Sequence, residues 1–379
     1  SSFTCKGGYN ERHELLRNGV RLARNWGGPT NAKTPFGHYT ESTFGAFAAL
    51  PTVDYVRATF VNTTTDDRDW FPEQVPAFPQ VTPASGTNLN WTRQVLFVKD
   101  IAATGPAWLL LRDTTLGGQP TAWQFWTRSE KLGANSQVTD PAAFLADKPG
   151  WTNQPARELP MGERYTALGQ FGVDVEYLVA SPANTPRHTL RYGGMMHWPW
   201  SRVGEYQDLL HLQLPGDGVY YVAAFPRLRQ EATPTMVALD GGKLIKVVGA
   251  FGTDYAFLST TQSEVSAESV SATGTVASVQ LREGLSVLTL GAPGVVRYKE
   301  YALTIAAGGA SLRIAPTELT VALSAPSADG RVTVNAADGW AVDPVSKGVI
   351  LDKTNKTVYA LTVPVGMKEV RLVLKAGKQ

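Results

Sequence analysis

Apolar and polar residues alternate with a period of two along most of this sequence, and few windows sustain the period of an α-helix. Successive side chains of a β-strand point to opposite faces of a sheet, so this alternation predicts half-buried strands. The runs are short and rich in β-branched and aromatic residues, and 36 Gly and 24 Pro separate them. Gly and Pro at that density predict frequent turns. The pattern therefore predicts an all-β chain.

Four segments are predicted to be pairs of strands joined at a turn: 109–126, 279–291, 331–342 and 358–374. The first reads LLLRDTTLGGQPTAWQFW, in which three consecutive Leu predict a strand buried on both faces. Gly117 and Gly118 predict a tight hairpin turn, because Gly adopts positive φ at no steric cost. In the second strand of that hairpin, Trp123 and Phe125 are predicted to share one face, and Gln124 the other.

One short helical turn is predicted at residues 140–147, where Asp140 can cap the helix and Pro141 suits its first position. Composition also changes along the chain, because nine of the ten Trp precede residue 201 and the last third is rich in Ala, Val, Ser and Thr. The AAGGAS stretch at 306–311 then predicts a boundary between a large domain over residues 1–309 and a small C-terminal β-domain over residues 310–379. The first two-thirds carries the aromatic and polar residues that sites require.

Several function classes are disfavoured by the overall charge and by the motifs. The formal net charge is only +2, so the chain lacks the basic surface that nucleic acid requires. No apolar run reaches the roughly 18 residues that a membrane span needs. The sequence has no phosphate-binding loop, no dinucleotide-binding glycine motif and no nucleophile-elbow motif, which argues against an ATPase, a dinucleotide enzyme and a serine hydrolase.

Cys5 is the only cysteine, so neither an intrachain disulfide nor a cysteine-based zinc cage can form. A single Cys in a chain of this length suits an exported bacterial protein. The first residues contain no basic stretch followed by an apolar core, and Ser1 stands where an initiator Met would be, so we expect a processed N-terminus. The predicted location is therefore secreted, periplasmic or on the cell surface.

Four segments together resemble the β-sandwich half of the heparinase II/III-like polysaccharide lyases. They are WTRQVLFVKD (91–100), AWLLLRDTTLGGQPTAWQFW (107–126), YQDLLHLQLPGDGVYYVAAFPR (206–227) and GTDYAFLS (252–259). The resemblance covers most of residues 1–310 and implies a large antiparallel β-sandwich followed by a smaller C-terminal β-domain. Members of that family also carry an N-terminal toroid of helix pairs, for which this sequence has no counterpart.

The resemblance implies cleavage of an anionic, uronate-containing polysaccharide by β-elimination. In that reaction a base removes a proton next to the uronate carboxylate, a polar group neutralises the carboxylate, and an acid protonates the leaving oxygen. The family's toroid supplies much of this equipment, so a partner chain that carries a toroid, or self-association, is expected. The family's sandwich supplies a His near its start, and His13 is the matching, predicted catalytic residue.

The matching region, 7–28, lacks the second His and the Asp of the family's Gly-x-His-x-His-x-Asp pattern. Some members of the family bind a structural zinc there. Zinc requires three or four ligands, and one His does not provide them. We therefore expect no zinc and no other cofactor.

Two segments are predicted to contact the polysaccharide, because aromatic rings stack on sugars and Arg binds carboxylates or sulfates through two parallel hydrogen bonds. The first, 36–42, places His38 beside Tyr39; on a strand they would point to opposite faces, whereas a loop could present both. The second, 187–202, is the densest cluster of such residues in the chain. Its predicted binding residues are Arg187, His188, Arg191, His197, Trp198, Trp200 and Arg202. The alternative for this cluster is a long loop held to the sandwich by its Trp residues.

A further acidic segment, 63–74, would repel a polyanion and is interpreted as a solvated loop. Its Asp66, Asp67 and Asp69 could ligate calcium, but they lack the spacing of an EF-hand. Two hypotheses follow from the whole sequence. The chain is either the β-sandwich portion of a polysaccharide lyase that is inactive without a toroid, or a non-catalytic extracellular protein that binds a glycan or serves in structure or assembly.

Overall fold

The computed structural model describes residues 19–22, 41–62, 89–118, 121–147, 154–192, 207–324, 331–337, 340–344, 346–354, 357–364 and 366–376. In the first part of the chain the strands are β1 (Gly19–Leu22), β2 (Glu41–Ala49), β3 (Val53–Asn62), β4 (Leu89–Lys99), β5 (Ala107–Leu116), β6 (Thr121–Thr127), β7 (Ser129–Ala134), β8 (Gln154–Leu159), β9 (Arg164–Gly169), β10 (Val173–Ser181), β11 (Arg187–Tyr192), β12 (Gln207–Leu214) and β13 (Gly218–Leu228).

The remaining strands are β14 (Thr235–Leu239), β15 (Leu244–Gly249), β16 (Gly252–Ala267), β17 (Val270–Arg282), β18 (Leu285–Leu290), β19 (Gly294–Tyr298), β20 (Tyr301–Ile305), β21 (Gly309–Ile314), β22 (Glu318–Ser324), β23 (Arg331–Asn335), β24 (Trp340–Pro344), β25 (Ile350–Lys353), β26 (Val358–Thr362) and β27 (Glu369–Ala376). One helix, α1 (Pro141–Leu145), is present in the described ranges. The prediction of an all-β antiparallel sandwich fold is confirmed.

The strands form three sheets. A five-stranded sheet has the order β1-β6-β12-β11-β8, and an eight-stranded sheet has the order β2-β3-β4-β5-β13-β10-β9-β7. The third sheet contains fourteen strands and branches at β17, whose residues 277–282 pair with β18 while residues 270–273 pair with β19. One branch runs β18-β21-β22-β27-β24, and the other runs β19-β20-β23-β26-β25.

The chain divides into two compact units, each assembled from separate stretches of sequence. The first unit contains Ser1–Thr43, Thr59–Arg93 and Arg112–Glu231, and the second contains Phe44–Ala58, Gln94–Leu111 and Ala232–Gln379. Strands β2 to β5 each contribute residues to both units. The predicted division at residues 309 and 310 stays a prediction.

The first unit is a sandwich in which the five-stranded sheet packs against the eight-stranded sheet. Trp123 of β6 donates its indole N–H to Asp113 of β5 at 2.8 Å. Phe125 meets the Tyr177 ring of β10 edge-on, with the ring centroids 5.8 Å apart. Every residue of β6 is buried, because one face of this strand fills the inter-sheet core and the opposite face is also shielded from solvent.

The core of the second unit lies between the two branches of the fourteen-stranded sheet. Leu312 of β21 and Val321 of β22 belong to the same buried cluster as Leu303 of β20 and Val334 of β23. The neighbours of these positions along each strand point to the opposite face of the sheet, as the period-two geometry of a strand requires. The cluster extends from Leu244 to Leu372 and has members on strands of both branches, so a single core joins the two branches.

The predicted hairpin at residues 109–126 is wrong. Strands β5 and β6 form as predicted, but β5 pairs within the eight-stranded sheet while β6 pairs with β1 and β12. Gly117 and Gly118 have φ values of 121° and 67°, so both do adopt the positive φ predicted for them. Their turn carries the chain from one layer of the sandwich to the other instead of returning it within one sheet. Consecutive β5 residues Leu110 and Leu111 are both buried, as predicted for a strand covered on both faces.

The turns predicted at residues 279–291 and 331–342 have different outcomes. The first is confirmed, because β17 and β18 pair directly and Gly284 between them has a φ of 66°. In the second, β23 pairs with β20 and β26, whereas β24 pairs with β27, so this pair is not a hairpin. Strands β26 and β27, predicted at 358–374, likewise lie in opposite branches. Both connections cross between the two layers of the core.

The predicted short helix is confirmed. Asp140 is its N-cap, and its carboxylate accepts hydrogen bonds from the backbone N–H groups of Ala142 and Ala143 at 2.9 and 3.2 Å. Pro141 occupies the first helical position, where its missing N–H costs no hydrogen bond. Among the described residues, no helix is long and apolar enough to cross a membrane.

Candidate functional site

A row of four polar side chains crosses the five-stranded sheet. Gln124 of β6 lies opposite His211 of β12, and His211 lies opposite His188 of β11. His188 in turn lies opposite Glu158 of β8. Residues directly opposite in neighbouring strands point to the same face of a sheet, so the sequence brings four distant segments onto one surface. We call these four residues the histidine row.

The histidine row lies on the face of the sheet that points away from the inter-sheet core. Trp123 and Phe125 contact the eight-stranded sheet, so the side chain of Gln124 between them points the other way. The row shares this outer face with buried residues, among them the apolar Leu209 and Trp126 and the polar Gln213. Its β6 and β12 end is therefore surrounded by other buried side chains.

Exposure increases along the row toward β8, the strand at the edge of the sheet. Gln124 and His211 are 1% and 0% exposed, His188 is half-buried, and Glu158 is exposed. The rings of His188 and His211 meet edge-on, with centroids 6.1 Å apart and an interplanar angle of 71°. His211 thus packs against His188 from the buried side, while the carboxylate of Glu158 approaches from the solvent side.

Burial lowers the pKa of His188 below its ordinary value, and the charge of Glu158 offsets part of that effect. A lowered pKa leaves the imidazole neutral at neutral pH, which is the form that can accept a proton. A half-buried neutral His that is supported by a second ring and faces a carboxylate can act as a general base. This is the chemistry that the histidine row makes available.

Only one of the three predicted binding residues in β11 lies on this face. Arg187 is fully buried, and its guanidinium donates hydrogen bonds to the backbone carbonyls of Pro182 and Thr185. Arg191 is 3% exposed and donates from Nε and Nη2 to the two carboxylate oxygens of Asp208 at 2.9 and 2.7 Å. Both Arg side chains therefore stabilise the sandwich through acceptors inside the protein. Of the three predicted residues in β11, His188 alone points to the outer face.

The other predicted site residues lie outside the described residues. They are His13, His38, Tyr39, His197, Trp198, Trp200 and Arg202, together with the calcium candidates Asp66, Asp67 and Asp69. The roles assigned to them stay predictions. Within the described ranges, no group of three or more His, Cys, Asp or Glu side chains could hold a metal ion.

The sequence did not predict three members of the histidine row. Gln124 lies in a predicted strand and His211 lies in a segment that carries the family resemblance, but nothing in the sequence indicated that β6 and β12 pair with each other. Glu158 lies in QPAREL, which has no clear alternation. The available signal was the position of His211 between Leu210 and Leu212, where a His flanked by apolar residues in a strand indicates a buried polar group.

A scan against protein-family models gives no match for this chain, and a search of curated proteins gives none either. The resemblance to heparinase II/III-like lyases therefore depends on the sequence segments given above.

Proposed function

We propose that this chain is the β-sandwich part of a polysaccharide lyase-like protein that binds an anionic, uronate-containing polysaccharide and acts on it by β-elimination together with a helical toroid. The observation that carries this proposal is the position of His188, which is half-buried, has a lowered pKa and lies between His211 and Glu158. We place the protein outside the cytoplasm, where such polysaccharides occur.

In the proposed reaction the neutral His188 imidazole accepts the proton from the carbon next to the uronate carboxylate. The electron pair left on that carbon forms a double bond to the neighbouring ring carbon, whose bond to the glycosidic oxygen breaks. The departing oxygen takes a proton from an acid, so protons and electrons balance without an oxidant or a cofactor. His211 positions the His188 ring, and Glu158 stabilises the imidazolium that results.

The toroid of the partner is expected to supply the acid and the group that neutralises the uronate carboxylate, as the resemblance implies. The isolated chain should consequently produce no unsaturated uronate from heparan, alginate or ulvan-type substrates. The measurement is the ultraviolet absorbance of that product over time. Sustained turnover by the isolated chain would contradict the requirement for a toroid.

Binding to an anionic oligosaccharide tests the position of the site. His188→Ala should weaken the affinity for an alginate or heparan oligosaccharide about 5- to 10-fold, the value of one hydrogen bond. Arg297→Ala serves as the control, because Arg297 is an exposed cation on β19 of the second unit. Trp198→Ala and Arg202→Ala test the sequence-predicted segment in the same assay. If the wild-type chain binds neither the alginate nor the heparan oligosaccharide, the proposed function is wrong.

The second candidate is a non-catalytic glycan-binding, structural or assembly protein of the same fold. The observation that favours it is the internal engagement of Arg187 and Arg191, which removes two cations from the predicted binding surface. The encoding gene separates the two candidates. A long helical region upstream of Ser1 would favour the lyase, whereas a signal peptide directly upstream would favour the stand-alone protein.

A further inference from the structure

A pocket of about 360 Å³ lies on the second unit, on the outer face of the β18-β21-β22-β27 branch. Arg313 of β21, Thr320 of β22 and Arg371 of β27 form one cross-strand row along its floor. Pro51 and Thr52, which lie between β2 and β3, and Ile101, which follows β4, complete its wall. A volume of that size falls within the range of about 300 to 1,000 Å³ that small-molecule sites occupy.

The face that carries this pocket is opposite the apolar core. Leu312 and Leu319 point into the core cluster, so their neighbours Arg313 and Thr320 point outward. The pocket has apolar wall residues such as Ile101 and Val287, but most of its polar groups come from this outer face. Convergent polar groups on an apolar background are typical of a ligand site.

Two buried hydroxyl groups line the pocket. Thr52 is 5% exposed and Ser311 is 4% exposed. Within the described part of the chain, Thr52 Oγ1 has no hydrogen-bond partner, and its backbone carbonyl is already used by the N–H of Lys99. Leaving such groups unpaired costs stability, and a bound ligand can satisfy them.

The charges around the pocket are balanced in pairs. Arg371 Nε donates to a Glu369 carboxylate oxygen at 3.1 Å, and Arg313 Nη1 lies 3.9 Å from a Glu318 carboxylate oxygen. Thr320 also donates its hydroxyl to Glu318 at 2.9 Å. With two cations and two anions at the rim, the pocket offers no net attraction for a polyanion. The paired Arg and Glu side chains do place hydrogen-bond donors and acceptors next to each other.

We propose that this pocket binds a short neutral saccharide. A sugar hydroxyl both donates and accepts hydrogen bonds, so one hydroxyl can bridge a guanidinium N–H and a neighbouring carboxylate oxygen. The Thr52 and Ser311 hydroxyl groups pair with further sugar hydroxyls, and the C–H faces of the ring pack on Ile101 and Val287. This site goes beyond the proposed function, because it lies in the second unit, uses other residues and selects an uncharged ligand.

Titration of the full chain with neutral sugars tests the proposal. Glucose, galactose, mannose, xylose and their disaccharides are added while protein–ligand contact is followed by saturation-transfer NMR and affinity by calorimetry. Glucuronate and inorganic sulfate are titrated in the same way as charged comparison ligands. At least one neutral sugar should bind saturably and more tightly than either anion. If none binds, or if only sulfate or glucuronate binds, the proposal is overturned.

Thr52→Val gives the sharpest variant, because it removes the hydroxyl and keeps the shape. Without sugar it should unfold at the same temperature as wild type or a higher one, since a buried group without a partner has been removed. With sugar its affinity should fall about 5- to 10-fold. Arg371→Ala, at an exposed position, should weaken binding as well, whereas Thr304→Val on the other branch should not. Unchanged affinity in both Thr52→Val and Arg371→Ala would place the sugar elsewhere and overturn the assignment.

Discussion

At the scale of single residues, the buried charges of this protein are matched by several donors each. Asp113 accepts from the indole N–H groups of Trp91 and Trp123 at 2.8 Å and from the Arg93 guanidinium at 2.7 and 2.8 Å. Glu176 accepts from Arg227 in the same unit. Removing water from a carboxylate is costly unless donors replace it. This explains why an all-β core can contain so many charged side chains.

His188 gives the fold a predictable pH dependence. Burial lowers its pKa in the folded state below the unfolded value of about 6.5, so the unfolded state binds more protons below that pH. Its effect on stability is therefore absent at alkaline pH and becomes unfavourable as the pH falls through about 6.5. Urea unfolding of wild type and His188→Gln at several pH values measures this. The variant should lose less stability on acidification, and parallel pH profiles would contradict the assignment.

At the scale of elements, one buried ion cluster joins four segments of the second unit. Arg282 of β17 donates to Asp254 of β16 at 2.7 Å and to Asp100, which follows β4, at 3.0 and 2.7 Å. Trp108 of β5 donates its indole N–H to the same Asp254 at 3.0 Å. Burial raises the pKa of Asp254, while Arg282 acts in the opposite direction. The guanidinium therefore supplies hydrogen bonds and an opposite charge to two neighbouring carboxylates inside the protein.

Arg282→Ala should consequently lower the free energy of unfolding by about 3 to 5 kcal/mol at neutral pH, because it leaves two buried carboxylates without their cation. Loss of the cation raises the pKa of Asp254 in the folded state further. The deficit should then be largest at neutral pH and shrink as the pH falls toward about 4, where protonation removes the buried charges. Urea unfolding at both pH values measures the change. Arg297→Ala, at an exposed position on β19, provides the control and should change stability by less than about 1 kcal/mol.

The elements themselves were predictable where local signals determine them. The capped turn at Asp140 and the β17-β18 hairpin at Gly284 each depend on residues only a few positions apart. The partners of β5 and β6 were not predictable, because the same two glycines suit a return within one sheet or a passage to the other layer. Alternation indicates that a strand has two faces, but it does not indicate which strand lies beside it.

The same difference between local signals and strand pairing determines how much of the candidate site could be predicted from the sequence. His188 was predicted from the composition of its own segment, which required no knowledge of pairing. Its neighbours in the histidine row come from β6, β12 and β8, and only the register of three strand pairs brings them together. The pocket at Thr52 is similar, since its hydroxyl and the Arg313–Arg371 row are far apart in the sequence. Sites that depend on register were therefore not visible in the sequence.

At the scale of the whole molecule, the continuity of the second unit's core bears on where the chain can be divided. The core cluster extends from Leu244 to Leu372 across both branches. Strand β21 pairs with β18 and β23 pairs with β20, so a cut at residue 310 would remove a partner from each branch. A cut at residue 232 keeps the whole cluster and also the Asp254–Arg282 pair. The fragments that these two cuts produce should therefore differ in stability.

A fragment of residues 232–379 should retain β-structure and unfold cooperatively in urea, whereas a fragment of residues 310–379 should show no cooperative transition. The shorter fragment contains strands from both layers but loses β18 and β20, which support them, and it exposes apolar residues such as Leu312 and Val334. Circular dichroism during urea titration, with dispersion of backbone amide NMR signals as the second readout, measures the difference. A cooperative transition in the 310–379 fragment would instead support the domain boundary predicted from composition, because it would show that β21 to β27 form a core without the strands that precede them.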